Sequence, residues 1–185
     1  MDRESPWQLV CEYVDDENLR RHMLAVEAAM RDYAERFDSE PDAWGMAGLL
    51  HDFDWEIHPS LDSHPQDGAP ILRDHGVPES IIRCVLSHAE HTGVERRTPM
   101  EHALHACDDL TGLLVAVALV RPTRNLREVS LSSVRKKWKS NRFAAGVDRD
   151  AIQEGADAIG VDLWEHIENV LTSMQRIAPD LGLAG

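Results

Sequence analysis

Ala47-Gly48-Leu49-Leu50-His51-Asp52 is a run of small and apolar residues, spaced as in a buried helix, that ends in a histidine beside an aspartate. Two ligand-type side chains at the end of an apolar segment are costly to bury unless something pairs with them. A divalent transition metal accepts both a neutral imidazole and a carboxylate, so it is the partner this pair calls for. The pair gains weight from its company: His22 upstream, and His64, His88 and Asp108 downstream, each on or beside an expected helix. A lone inward histidine is more often a hydrogen-bonded core residue, and a salt bridge is the ordinary explanation for a buried aspartate. Few basic residues lie near Asp108 in the chain, however, and the set taken together reads as one metal site.

The rest of the chain supplies helices to carry these residues. Ala, Leu, Glu and Arg dominate, and β-branched runs are scarce. Ser5-Pro6 marks a helix start, with Met1 to Glu4 as its lead-in, and a short helix runs to about Val14. A longer helix from about Asp16 to Phe37 carries Leu19, Met23, Val26, Met30, Tyr33 and Phe37 as an apolar seam, with His22 one turn from both Leu19 and Val26. Pro41-Asp42 restarts a helix that leads into His51-Asp52. Residues 53–66 read as a loop, and a short helix after it stops at His75-Gly76. Pro78 opens a helix on which Ile81, Val85 and His88 share a face. Pro99 opens a long one to about Val120, apolar nearly all round in its second half and therefore the central buried helix. Amphipathic helices follow at Ser132 to Lys139, Arg149 to Ile159 and Asp162 to Ile177. The expectation is an all-α, single-domain helical bundle over 1–185, with a metal-site core at about 16–121 and C-terminal helices, 130–181, packed on it.

The order His22, then His51-Asp52, then Asp108, on successive helices, resembles the HD-domain superfamily of metal-dependent phosphohydrolases. The likeness spans roughly Arg21 to Leu114 and centres on Gly48-Leu49-Leu50-His51-Asp52. It implies an HD-type helical bundle and one metal held by His22, His51, Asp52 and Asp108. His64, and His88 in Ser87-His88-Ala89-Glu90, fit the extended pattern of dinuclear members, in which Asp52 bridges to a second ion completed by His64 and His88. Iron, manganese, zinc, cobalt and nickel all suit such a donor set. His58 is an alternative to His64, since both precede a proline in the same loop, and Asp109 is an alternative to Asp108. His91, His102 and His105 are candidates for supporting or substrate contacts, His75 and His166 read as surface residues, and Trp44 and Trp55 read as packing groups.

The chemistry implied by the resemblance is hydrolysis of a small phosphate ester, a nucleotide being the candidate, by hydroxide generated at the metal centre and attacking phosphorus. One departure stands out. Many dinuclear members carry a lysine three residues after the HD aspartate, and here that position is Trp55. The basic cluster Arg135, Lys136, Lys137, Lys139 and Arg142 is the local alternative for a phosphate anchor, with Lys137 and Arg142 the two named candidates, although a solvated helix face explains most of it. The missing lysine keeps a second reaction class open, a di-iron oxygenase using dioxygen, and a non-catalytic metal-binding or sensing module is a third.

A formal net charge of −14 argues against a nucleic-acid polymer as partner. The cysteines, Cys11, Cys84 and Cys107, are scattered, without a CxxC, and read as reduced thiols. The longest apolar run, Leu113 to Val120, is too short to span a bilayer, and the N-terminus carries no recognisable signal, so the expectation is a cytoplasmic protein with no membrane partner.

Overall fold

The structure is a computed structural model that describes residues 3–140 and 142–185; Met1 and Asp2, part of the expected lead-in, lie outside the described residues. Among the described residues the regular elements are all helical. They are α1 (Glu4–Tyr13), α2 (Glu17–Arg36), α3 (Pro41–Leu50), α4 (Gly68–Asp74), α5 (Glu79–His88), α6 (Pro99–Leu119), α7 (Leu131–Trp138), α8 (Arg149–Ala158) and α9 (Leu163–Arg176), with short 3-10 turns at Glu90–Thr92 and Leu126–Glu128. The fold is all-α, and among the described residues its one β-type pairing is an isolated bridge between Asn125 and Ala184.

Local chemistry sets most of the helix ends. The Asp16 side chain accepts from the Asn18 N–H at 2.7 Å and caps α2. Thr98 and Glu101 form a reciprocal capping box at the start of α6, with Pro99 in its first turn. The first helix departs slightly from expectation. Ser5 is not the cap, because α1 already begins at Glu4 and Pro6 falls inside the first turn, where proline costs no hydrogen bond.

α2 and α3 pack closely along their lengths. A Cβ added at Gly48 would stand 3.0 Å from the Glu27 nitrogen and the Val26 carbonyl carbon, so only glycine lets the two backbones approach this far. That approach brings His22 of α2 to the His51 end of α3. α6 runs through the middle, against α2, α5, α8 and α9, and its Leu104, Leu110, Leu113 and Leu114 are wholly buried. By length and composition alone this helix could cross a membrane, but more than half of the qualifying stretch is buried inside the molecule. Ile167, Val170 and Met174 of α9 join the same core cluster as Leu9 and Val10 of α1.

His166 corrects a sequence expectation. It is not on the surface: it is wholly buried, its Nε2–H donating to the Ala106 carbonyl at 2.8 Å and its Nδ1 accepting from the Tyr33 hydroxyl at 2.5 Å. Leu163 three residues before and Val170 four residues after it are buried too, so His166 lies in the apolar stripe of α9.

Candidate metal centre

Four histidines and two aspartates meet where α2, α3, α5 and α6 converge with the loop before α4. They fall into two adjoining groups, His22, His51 and Asp108 in one and Asp52, His64 and His88 in the other. In the first group His22 Nε2 lies 3.1 Å from His51 Nε2 and 3.0 Å from Asp108 Oδ1, and His51 Nε2 lies 3.5 Å from the same oxygen. In the second, Asp52 Oδ1 is 3.3 Å from His64 Nε2 and 3.6 Å from His88 Nε2, and the two nitrogens are 3.4 Å apart. The other oxygen of Asp52, Oδ2, faces back to the first group, 3.4 Å from His51 Nε2 and 3.7 Å from His22 Nε2.

The orientation of the imidazoles is set by what their outer nitrogens meet. His51 caps α3 and His88 ends α5, where last-turn carbonyls lack helical partners. Each ring donates its Nδ1–H to the carbonyl three residues back, His51 to Gly48 at 2.8 Å and His88 to Val85 at 2.5 Å. Thr111 donates its hydroxyl hydrogen to the Asp108 carbonyl at 2.9 Å, which leaves its oxygen to accept from His22 Nδ1 at 3.2 Å. His64 donates from Nδ1 to Asp54 Oδ1 at 2.8 Å. With every Nδ1 committed as a donor, all four Nε2 atoms present lone pairs to one another and to carboxylate oxygens. Such a set repels itself unless cations lie within it.

The donors fit divalent metal ions. Bonds of about 2.0–2.2 Å to nitrogen and oxygen give ligand-to-ligand edges of about 3.0–3.5 Å, and most of the separations among these donor atoms fall in that range, with His88 and His22 slightly farther from Asp52 at 3.6 and 3.7 Å. The electrostatics point the same way. Burial works against charge on His51, yet Asp52 and Asp108 outweigh it and hold the imidazole well above its ordinary pKa. Asp52 and Asp108 are held well below the carboxylate range, against burial, mainly by the His51 charge. Burial likewise opposes charge on His64, but hydrogen bonds to Asp52 and Asp54 raise it to about 9. The cluster is a sink for positive charge, which protons fill when no metal does.

The floor and the rim differ in exposure. The side chains of His51, His64 and His88 are nearly or wholly buried, whereas those of His22, Asp52 and Asp108 are 25%, 20% and 30% exposed. Solvent therefore reaches the cluster from one side.

A family model for the HD domain matches residues 19–118, just over half of the chain. The chain belongs to the HD-domain family. HD domains bind divalent metals and are largely metal-dependent hydrolases, and the matched span carries the whole His/Asp cluster of this HD protein. Comparison with curated proteins and with solved structures returned no match.

The alternatives left open by the sequence separate here. His58 is turned away from the cluster, its Nδ1 on Asp54 Oδ2 at 3.1 Å. Asp108, not Asp109, faces His22 and His51; the Asp109 carboxyl is pushed up to about 6 by burial and by the neighbouring charges of Asp108 and Asp148. His91 donates from Nε2 to the His64 carbonyl at 2.7 Å and so braces that loop. His75 is exposed, His102 and His105 are half-buried, and Trp44 is buried against Phe37. Trp55 keeps 39% of its surface exposed while its ring stands edge-on to His64 with centroids 4.9 Å apart. Lys137 lies over the Phe143 ring at 4.8 Å and Arg142 is exposed. Among the described residues neither is hydrogen-bonded or ion-paired to any of the six.

The residue that sequence reasoning passed over is Asp54. It is wholly buried, and the one trace of it in the sequence is its place two residues after Asp52, between Phe53 and Trp55.

Proposed function

We propose that this HD protein is a dinuclear metal-dependent phosphohydrolase acting on a small phosphate ester, with a nucleotide as the candidate substrate. The observation that carries the reading is the position of Asp52, whose Oδ2 faces the His22, His51 and Asp108 group while its Oδ1 faces His64 and His88. A carboxylate so placed would serve two ions at once. His22, His51 and Asp108 would hold one, and His64 and His88 the other. Divalent ions bound there would supply an activated water and Lewis-acid charge for a phosphoryl group.

The residues of the chain have separable tasks in this reading. The buried histidines fix the floor, and their committed Nδ1 atoms prevent the rings from turning. His22, Asp52 and Asp108 form the accessible side, from which substrate approaches. The overall negative charge disfavours a nucleic-acid polymer and suits a small substrate whose charge is met at the centre itself. Trp55, in the position where related dinuclear enzymes place a lysine, offers no charge, so phosphate neutralisation falls on the centre.

That same tryptophan favours a second reading, in which the six residues hold two irons and the reaction consumes dioxygen. Metal analysis of untagged protein purified without chelator separates the readings. Close to two ions per chain and turnover in a phosphate-ester and nucleotide screen are expected. Two irons together with substrate-dependent oxygen uptake, without phosphate release, would replace the hydrolase by the oxygenase. Asp52→Ala should lose metal from both positions and lower turnover by about 10³-fold, with helical circular dichroism retained. Full occupancy in that variant would overturn the ligand assignment.

A further inference from the structure

We infer that Asp54 is the positioning residue of the second metal position, holding His64 in the orientation that presents Nε2 to it. The inference rests on the two-ion reading above and names the part of the chain that makes the second position possible.

The four histidines differ in where they stand. His51 and His88 close helices and use the free carbonyls of their own last turns. His22 uses the hydroxyl of Thr111, on the helix that also carries Asp108. His64 stands in the loop between α3 and α4, where no last-turn helix carbonyl is within its reach. Its Nδ1–H needs an acceptor from a side chain, and Asp54 Oδ1 supplies it at 2.8 Å. The turn after Asp54 closes by hydrogen bonds from the Ile57 and His58 N–H groups to the Asp54 carbonyl, at 3.1 and 2.8 Å. It brings the His58 ring back onto the second oxygen at 3.1 Å.

The space for this carboxylate is built into the fold. A Cβ at Gly68, the first residue of α4, would stand 2.6 Å from the Asp54 Cγ and Oδ2. The carboxyl group thus fills the volume that any other residue at position 68 would occupy. Asp54 is wholly buried, and among the described residues its side-chain partners are two imidazoles, with no arginine or lysine. Burying an anion this way is unfavourable unless positive charge lies close by. A cation on the far side of the His64 ring meets that need, and a carboxylate behind a ligating imidazole both fixes the ring and raises its donor strength.

The experiment compares metal content and ion affinity of the wild-type full chain with two variants, by elemental analysis and by titration of manganese into chelator-stripped protein. Asp54→Asn keeps the shape and removes the charge. Gly68→Ala keeps Asp54 and forces its carboxylate off His64. Wild type is expected to take two ions. Each variant is expected to keep the first and to bind the second about 10- to 100-fold more weakly. Two ions bound equally well by wild type and both variants would overturn the role of Asp54. Loss of both ions together with a lowered ion-free melting temperature would overturn it in favour of a purely structural role. A wild type that takes fewer than two ions would instead overturn the two-ion reading on which it rests.

Discussion

Thr111 is wholly buried in α6 and makes two contacts with its single oxygen, donating to the Asp108 carbonyl at 2.9 Å and accepting from His22 Nδ1 at 3.2 Å. The second contact decides which nitrogen of His22 is free for a metal. Thr111→Val keeps the volume and removes the acceptor, so the His22 ring loses its preference for the Nδ1–H form. Metal affinity at the position shared with His51 and Asp108 should fall by about 10- to 100-fold. Titration of manganese into chelator-stripped variant and wild type checks this, and equal affinities would mean that His22 is held by packing alone. Such partners are hard to see in a sequence. His22, His51, Asp52 and Asp108 were legible as a group because each is an ionisable residue in an apolar stretch. Thr111 is not, because a threonine in a helix has many ordinary uses. Asp54 was hidden for a different reason: the segment after Phe53 read as an irregular loop, where a carboxylate normally meets water.

The helices themselves were legible because their ends carry local signals that need no tertiary help, such as Asp16 before α2 and the Thr98-Pro99-x-Glu101 start of α6. How closely they pack was not, since that depends on which glycines face a neighbour. Two glycines in adjoining helices make the point with opposite signs. At Gly155 in α8 an added Cβ would meet the Cα and Cβ of Ala106 in α6 at 2.7 and 2.8 Å. That contact is with main chain and cannot yield without moving the helix, so Gly155→Ala should cost about 1–3 kcal/mol despite the better helix propensity of alanine. At Gly112 in α6 an added Cβ meets nothing within 4 Å. There the propensity gain is unopposed, and Gly112→Ala should stabilise by about 0.5–1 kcal/mol. Urea denaturation of both variants tests the pair, and stabilisation by Gly155→Ala as well would show that the α6–α8 contact does not limit stability. The His166 misreading belongs to this scale as well. The 3.6-residue period of α9 places His166 with Leu163 and Val170, and weighing it by period rather than by residue type would have put it inside.

At the scale of the molecule, His166 ties together parts of the chain that are distant in sequence: α9 itself, α2 through Tyr33, and α6 through Ala106. A neutral ring satisfies both partners, donating at Nε2 and accepting at Nδ1. Protonation would set a second donor against the Tyr33 hydroxyl inside the core. Burial pushes the His166 pKa from 6.5 down to about 4, with the Arg36 charge acting in the same direction and the Ala106 hydrogen bond opposing it. Because the folded value lies below the unfolded one, the unfolded chain takes up a proton first as the solution is acidified. Stability is therefore full above about pH 6.5 and is lost as pH falls toward 4, by an amount on the order of 3 kcal/mol for this one group. His166→Gln retains a donor and an acceptor but cannot titrate. Urea midpoints for chelator-stripped wild type and variant at pH 7.5 and pH 5 isolate the histidine, because the carboxylates and the metal-site imidazoles are common to both proteins. The variant should be the less stable of the two at pH 7.5, since glutamine fits the three-helix junction less well, and should lose less on acidification. Parallel losses would show that the folded and unfolded chains take up the His166 proton at the same pH, and that the contacts with Tyr33 and Ala106 do not hold the ring neutral.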